Sequence, residues 1–410
     1  MDSTNSIIKT DNITGTKSSN YNNGTGYKGT GVRIGIIEAG GGKYDADAKQ
    51  LEGIPETQLE YIGVIDLGEP HVHTYPTDHA TKVTSIIVGQ SYMLNGKTYE
   101  GVVPNAIVYQ VGIYDKYDVY QAINDLVNDC GVSVINYSGG SGGGTYTDYD
   151  KEVDRLCNST GVSFVKSAGN STNINFPGLA YNVITVGNAM TKETVNNNII
   201  YKNSPYVVNP SCSSYEEASY LTNKPDLVAP GTAISCVGAN NEILTSSGTS
   251  LSAPMVTGVV AQLHQVDPSL ISNPTKTKAI ILAGADPTLI STVENNSVGS
   301  NGLVREKSGV GMLNAVNSIN IALNYQSSYA QLFFMQPPAA TNYNMGFVNV
   351  EKGHTLRVVL TFNKAEDNLL IESAYGNNFD LYVVDSKGNV VSSCSTINNV
   401  EVVEVVAPED

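Results

Sequence analysis

Basic side chains are scarce in this 410-residue chain, where 23 Lys and Arg face 39 Asp and Glu for a formal charge of −16. Phosphate binding needs clustered Lys and Arg, so nucleic acid is excluded as the main partner, while the long-range field favours cationic ligands, metal ions among them. Paired cysteines are lacking too. Cys130, Cys157, Cys212, Cys236 and Cys394 are odd in number and far apart, which fits isolated buried thiols and neither a disulfide framework nor a CxxC metal site. No apolar run approaches the ~20 residues of a membrane span. The opening MDSTNSIIKT has neither the basic nor the apolar region of a secretory leader, so the protein either stays inside the cell or has had a leader removed. What the chain does have is 41% hydrophobic residues, enough to bury a substantial core in one large domain or two to three smaller ones.

Residues 1–30 are rich in Asn, Thr, Ser and Gly and read as a polar, irregular arm. From Gly31 the pattern changes. GVRIGII (31–37) is a β-branched apolar run that stops at Glu38 and a Gly triplet, as a buried strand does before a loop. Similar runs recur at 106–113, 132–138, 162–168 and 182–188. Helical patterns between them supply the crossovers of a parallel sheet: VYQAINDLVNDC (119–130) ended by Gly131, a segment opening near Ala80, and SLSAPMVTGVVAQLHQV (250–266), apolar almost all round and therefore buried. The alternation is α/β, which places an active site beyond the carboxyl ends of the strands. Residues 308–325 close this domain, which spans 31–325. Beyond it the period changes to strand-like segments at 356–362, 379–384 and 400–406 with a turn at 385–389, so 327–410 reads as a small antiparallel β-sandwich. It stops at APED with no closing strand, and the sequence is expected to end short of the domain's own end.

Ser250 follows Gly-Thr at the start of the apolar helix, with Pro254 one turn in, where a missing N–H is tolerated. A serine there is either an inert N-cap or a nucleophile placed in the positive field of a helix N-terminus. A nucleophilic hydroxyl needs a base. Of the five histidines, His354 lies in the sandwich, His264 far down the buried helix, and His71 and His73 in a polar loop. His79, in TDHATKVTSIIVG, opens an apolar helix, where a plain surface role is the alternative. Glu38, ending the first buried strand, is suited to orient an imidazole, or is a strand terminator. Nucleotide binding is disfavoured, since the glycines after Glu38 form neither GxGxxG nor a P-loop. Asn170, in the turn Ala168-Gly169-Asn170, offers an amide to an oxyanion or is a turn asparagine.

In the order acid, His, Asn, Ser, these residues resemble the subtilisin-like serine proteases. The resemblance covers about residues 28 to 320. Its most specific piece is GTSLSAPMVTG, which meets the family's GTSMAAPHVAG at Gly248, Thr249, Ser250, Ala253, Pro254, Val256 and Gly258; KPDLVAPG (224–231), GVVPNA (101–106), INYSGG (135–140) and SAGN accompany it. The resemblance implies an α/β fold with a parallel sheet covered by helices on both faces. It makes Ser250 the nucleophile, His79 the general base, Asn170 the oxyanion donor and Glu38 the occupant of the family's aspartate position. Ser138, Gly139 and Gly140 would pair with an extended peptide substrate and wall the primary specificity pocket.

Two features depart from the family pattern. Glu38 carries one methylene more than Asp and must be absorbed by a small shift. The family's HGTHVAG reads HATKVTS, so the packing of that helix start is expected to differ. The related sedolisins use Glu but lack the His and replace the Asn with Asp, so His79 and Asn170 keep this chain with the subtilisins. What the resemblance implies is a monomeric serine endopeptidase acting on polypeptides through an acyl-enzyme, with no cofactor in the chemistry; the alternative is a catalytically silent subtilisin-fold protein used for peptide binding or surface attachment. It also implies secretion and structural calcium, for which no ligands stand out: the acidic loop YDADAK (44–49) lacks EF-hand spacing. The net negative charge favours basic residues near the scissile bond.

Overall fold

The computed structural model describes residues 26–67, 74–94, 97–191, 206–215, 223–241, 243–290, 307–324, 346–363, 379–395 and 398–408. Most of the polar arm, His71 and His73, and the expected boundary at 325–327 lie outside the described residues. The chain runs through β1 (Arg33–Ala39), β2 (Leu59–Ile65), α1 (Asp78–Val88), a hairpin of β3 (Tyr92–Leu94) and β4 (Lys97–Tyr99), β5 (Ile107–Ile113), α2 (Asp118–Asn128), β6 (Val134–Tyr137), α3 (Asp148–Thr160) and β7 (Ser163–Ser167). There follow β8 (Ile184–Thr191), β9 (Tyr206–Val208), β10 (Leu227–Pro230), a hairpin of β11 (Ile234–Val237) and β12 (Ile243–Ser246), α4 (Thr249–Val266), α5 (Pro274–Gly284) and α6 (Ala315–Asn324). The last described elements are β13 (Thr355–Thr361), β14 (Leu381–Val384), β15 (Val390–Ser393) and β16 (Val400–Val406).

The main sheet has the order β10-β8-β7-β6-β1-β5-β2, all parallel, with β9 added antiparallel to β8. Period-two alternation sorts its side chains onto two faces. Ile34 and Ile36 of β1, Val134 of β6 and Val165 of β7 pack in one core with residues of α1 and α4. Ile37, Ile135, Tyr137 and Phe164 point the other way, into a second core with Val119, Ile123 and Leu126 of α2 and Val153 and Leu156 of α3. Gly35 falls on this second face, where a methyl would meet Leu126 Cδ1 at 2.8 Å, so the glycine lets α2 approach. α4 is buried along nearly its whole length, as a helix apolar almost all round requires.

At the carboxyl-terminal end, β13 pairs antiparallel with β16 and β14 with β15. The turn between β14 and β15 is set by Asp385, whose Oδ1 accepts from the N–H groups of Lys387 and Asn389. This part is tied to the main layer. Val400 and Val402 join the α1/α4 core, the Arg357 guanidinium donates to Ala285 O at 2.9 Å and Val310 O at 3.0 Å, and Thr361 Oγ1 donates to Thr275 O.

Candidate active site

The strand order reverses at β1, which pairs with β5 on one side and β6 on the other. A crevice opens beyond the carboxyl ends of strands at such a reversal. Glu38 is the penultimate residue of β1, inside the strand rather than past its end, and alternation puts it on the face of Ile34 and Ile36, toward α1 and α4. α1 starts above it. Thr77 caps the helix by accepting from Ala80 N–H at 3.1 Å, Thr81 Oγ1 donates to Thr77 O and accepts from Asp45 N–H, and Asp78 Oδ1 accepts from Ala239 N–H. These side chains anchor the helix start that lacks the family's glycines and second histidine. His79 thereby stands in the first turn with Nδ1 2.6 Å from Glu38 Oε1.

The longer acid is accommodated by Gly42, the third glycine of the triplet that follows it. A methyl on Gly42 would lie 3.1 Å from Glu38 Cγ and 3.1 Å from Thr77 Oγ1, so the missing side chain is the space that the extra methylene uses. The Glu38 side chain is 4% exposed and that of His79 42%, an arrangement in which the carboxylate is shut from water and the imidazole is open to a ligand. Glu38 Oε2 is buried with no hydrogen-bond partner among the described residues, which leaves His79 as the carboxylate's hydrogen-bond donor. Burial pulls the His79 pKa down, but the charge and hydrogen bond of Glu38 outweigh it together with the opposing charge of Lys82, and the net position is above the ordinary 6.5.

Ser250 enters from α4. Pro254 has no N–H to give the carbonyl four residues back, which is that of Ser250. Ser138, just past β6, fills the gap: its Oγ donates to Ser250 O at 3.0 Å. In return Ser250 Oγ donates to Ser138 O at 2.9 Å, and no hydrogen bond joins it to His79. α1 packs along α4, and both helices begin at the carboxyl edge of the sheet. Asn170 is held by the residue before the serine. Its Oδ1 accepts from Thr249 N–H at 2.8 Å, Thr249 Oγ1 at 3.0 Å and Cys212 Sγ at 3.4 Å. With the oxygen so occupied, Nδ2 is the end left to a ligand. Thr249 Oγ1 also accepts from Gly169 N–H, tying the turn to the helix.

The structure therefore brings Glu38 and His79 into contact, sets Ser250 beside Ser138, and turns the Asn170 amide outward. Gly139 and Gly140 follow Ser138 past the end of β6. Buried His264 bonds to Ser133 Oγ, away from the edge, and His354 stands beside Glu351 near β13. Gly42 was visible in the sequence only as part of a loop, and Thr249 only as part of the GTSLSAP motif, with nothing to indicate that it holds the Asn170 oxygen. Asp45, in the acidic loop, accepts from the N–H groups of Asp47 and Asn240, and among the described residues no three His, Cys, Asp or Glu side chains gather around a metal-sized space.

The sequence pattern of the subtilase family matches residues 66–311, which contain His79, Ser138, Asn170 and Ser250 but not Glu38. A subtilisin-like protease 2 of Trichophyton verrucosum is 30% identical over 273 residues, covering 62% of this chain and 58% of that protein. A subtilisin-like protease of Coccidioides posadasii is 28% identical over 275 residues, 61% and 59% of the two chains; the chain thus spans a little under three fifths of these relatives. Among solved structures, the prenylagaramide maturation protease PagA superposes with a TM-score of 0.51 at 22% identity, covering 71% of this chain and 93% of that one. The self-cleaved protease domain of PatA gives 0.52 at 24%, covering 72% and 98%. These two likenesses concern the fold. With the family pattern spanning more than half of its residues, the chain belongs to the subtilase family.

Proposed function

We propose that the chain is a serine endopeptidase that hydrolyses polypeptides through an acyl-enzyme. The observation that carries this reading is the 2.6 Å contact of Glu38 with His79 Nδ1 at the edge where Ser250 and the Asn170 amide also stand. Glu38 holds the imidazole in the tautomer that leaves Nε2 free to take a proton. Ser250 Oγ turns from Ser138 O toward Nε2, a change of staggered rotamer, loses its proton to His79 and attacks the peptide carbonyl. The oxyanion is met by Asn170 Nδ2 and by the Ser250 N–H, which has no intrahelical acceptor in the first turn; such donors are worth about 3–4 kcal/mol each. His79 then protonates the leaving amine, and water cleaves the ester by the same route in reverse. An extended substrate pairs with residues 138–140.

One observation favours a catalytically silent peptide-binding protein, namely that Ser250 Oγ donates to Ser138 O rather than to His79. Incubation of an unfolded polypeptide with the wild type and with Ser250→Ala separates the two. The proteolytic reading expects fragments from the wild type and none from the variant; equal cleavage, or none by either protein, contradicts it.

A further inference from the structure

The net charge of −16 would steer basic peptides to this chain, yet a cation stands behind the crevice next to Ser250. β6 and β7 are adjacent and parallel, with Tyr137 opposite Lys166, and past their carboxyl ends residues 138–140 and 168–170 form two walls. Asn175 joins the walls at the bottom: its N–H donates to Ala168 O at 2.9 Å and its side-chain amide to Gly140 O at 3.3 Å. Both walls are bare where they face this floor. A methyl on Gly169 would lie 2.9 Å from Ser214 Oγ and 3.1 Å from Asn175 Oδ1, and one on Gly140 would lie 2.2 Å from Phe176 O and 3.4 Å from Lys166 Nζ.

Lys166 is fully buried and shares the face of Phe164, toward α2 and α3. Its ammonium donates to the carbonyl and the hydroxyl of Ser167 and lies 5.4 Å from the centre of the Tyr137 ring, a cation–π distance. No carboxylate among the described residues forms an ion pair with it. Lys224 and Lys278, also buried, differ, since they reach Asp226 at 2.7 and 3.0 Å. Burial, opposed only by the more distant charge of Asp150, brings Lys166 down to about 7. A desolvated ammonium without a counter-ion is costly, and an arriving carboxylate would favour its charged form.

A peptide paired with 138–140, its scissile carbonyl at Ser250 and Asn170, directs the side chain before the scissile bond between the two walls. We propose that Lys166, with the Asn175 amide, makes this pocket selective for acidic side chains, so that cleavage follows Asp or Glu; the inference rests on the acyl-transfer reading of Ser250. A carboxylate in the pocket supplies the missing counter-charge. An apolar side chain leaves the ammonium as it was, and a lysine side chain is repelled by it.

The test uses peptides that differ only in the residue before the scissile bond, Asp, Asn, Glu, Leu or Lys, with the wild type and Lys166→Met. The expected kcat/KM is about tenfold or more higher for Asp than for its neutral isostere Asn. The advantage should vanish in Lys166→Met while cleavage after Leu persists. Equal rates for Asp and Asn in the wild type, or an equal fall for every substrate in the variant, would overturn the inference; should Lys166→Met not fold, the wild-type ratio decides alone. A binding arm keeps the two readings apart. Ser250→Ala is titrated with peptides ending in Asp or in Leu, as cleaved products would: tenfold tighter binding of the Asp peptide supports the pocket even if no hydrolysis is found, and equal binding overturns it. A wild type that cleaves no peptide contradicts only the acyl-transfer reading.

Discussion

The two halves of the site are held differently. Glu38 and His79 are joined by a short charge-assisted contact, with the carboxylate buried inside a strand and the imidazole on a capped helix start. Ser250 and Asn170 are joined to the scaffold instead: the serine rests on Ser138 O, and the amide oxygen is tied to Thr249. The difference teaches that the fold preassembles the carboxylate–imidazole pair, whereas the hydroxyl proposed as the nucleophile rests on a backbone carbonyl.

The largest effect short of removing the serine is expected from Glu38→Gln, which breaks the fixed half. Loss of the carboxylate should lower kcat/KM by about 10²–10⁴. The sign of the pH effect follows from the His79 shift. Glu38 raises that pKa above 6.5 against burial and Lys82, so wild-type activity is lost as pH falls through the raised value. Removing the charge lowers it, and the acid limb of the kcat/KM profile should move to lower pH. A limb that stays in place would show that Glu38 does not govern His79. Asn170→Ala acts on the other half. It should reduce kcat by about 10²–10³ with KM little changed, since the donor meets the oxyanion rather than the ground state. Ser138→Ala is the mildest. It removes the donor to Ser250 O that Pro254 makes necessary, so thermal unfolding should show a loss of about 0.5–1.5 kcal/mol with kcat altered less than about tenfold.

The same contrast runs through what was readable in the sequence. β1, β5, β6, β7 and α4 lie within a residue or two of the expected segments, because strands buried on both faces are continuous apolar runs. β2 escaped notice: Leu59–Ile65 is an edge strand, half-buried and interrupted by Gly63 at a register shift. α3 escaped too, since Asp148–Thr160 buries Val153, Leu156 and Cys157 within an otherwise polar run. Buried charge hid the character of α5, where Lys278 points inward to Asp226. The residue types of the site and their order were legible. Spacing along the chain carries no information on the rotamer of Ser250, the space left by Gly42 or the cation behind Gly140, all of which depend on residues distant in sequence.

The central claim is that Ser250 is a nucleophile activated by His79, and reaction with a fluorophosphonate followed by intact-mass and peptide analysis tests it most directly. The site described here predicts a single covalent adduct on Ser250 of the folded wild type; a protein that remains unlabelled, or is labelled elsewhere, would contradict it.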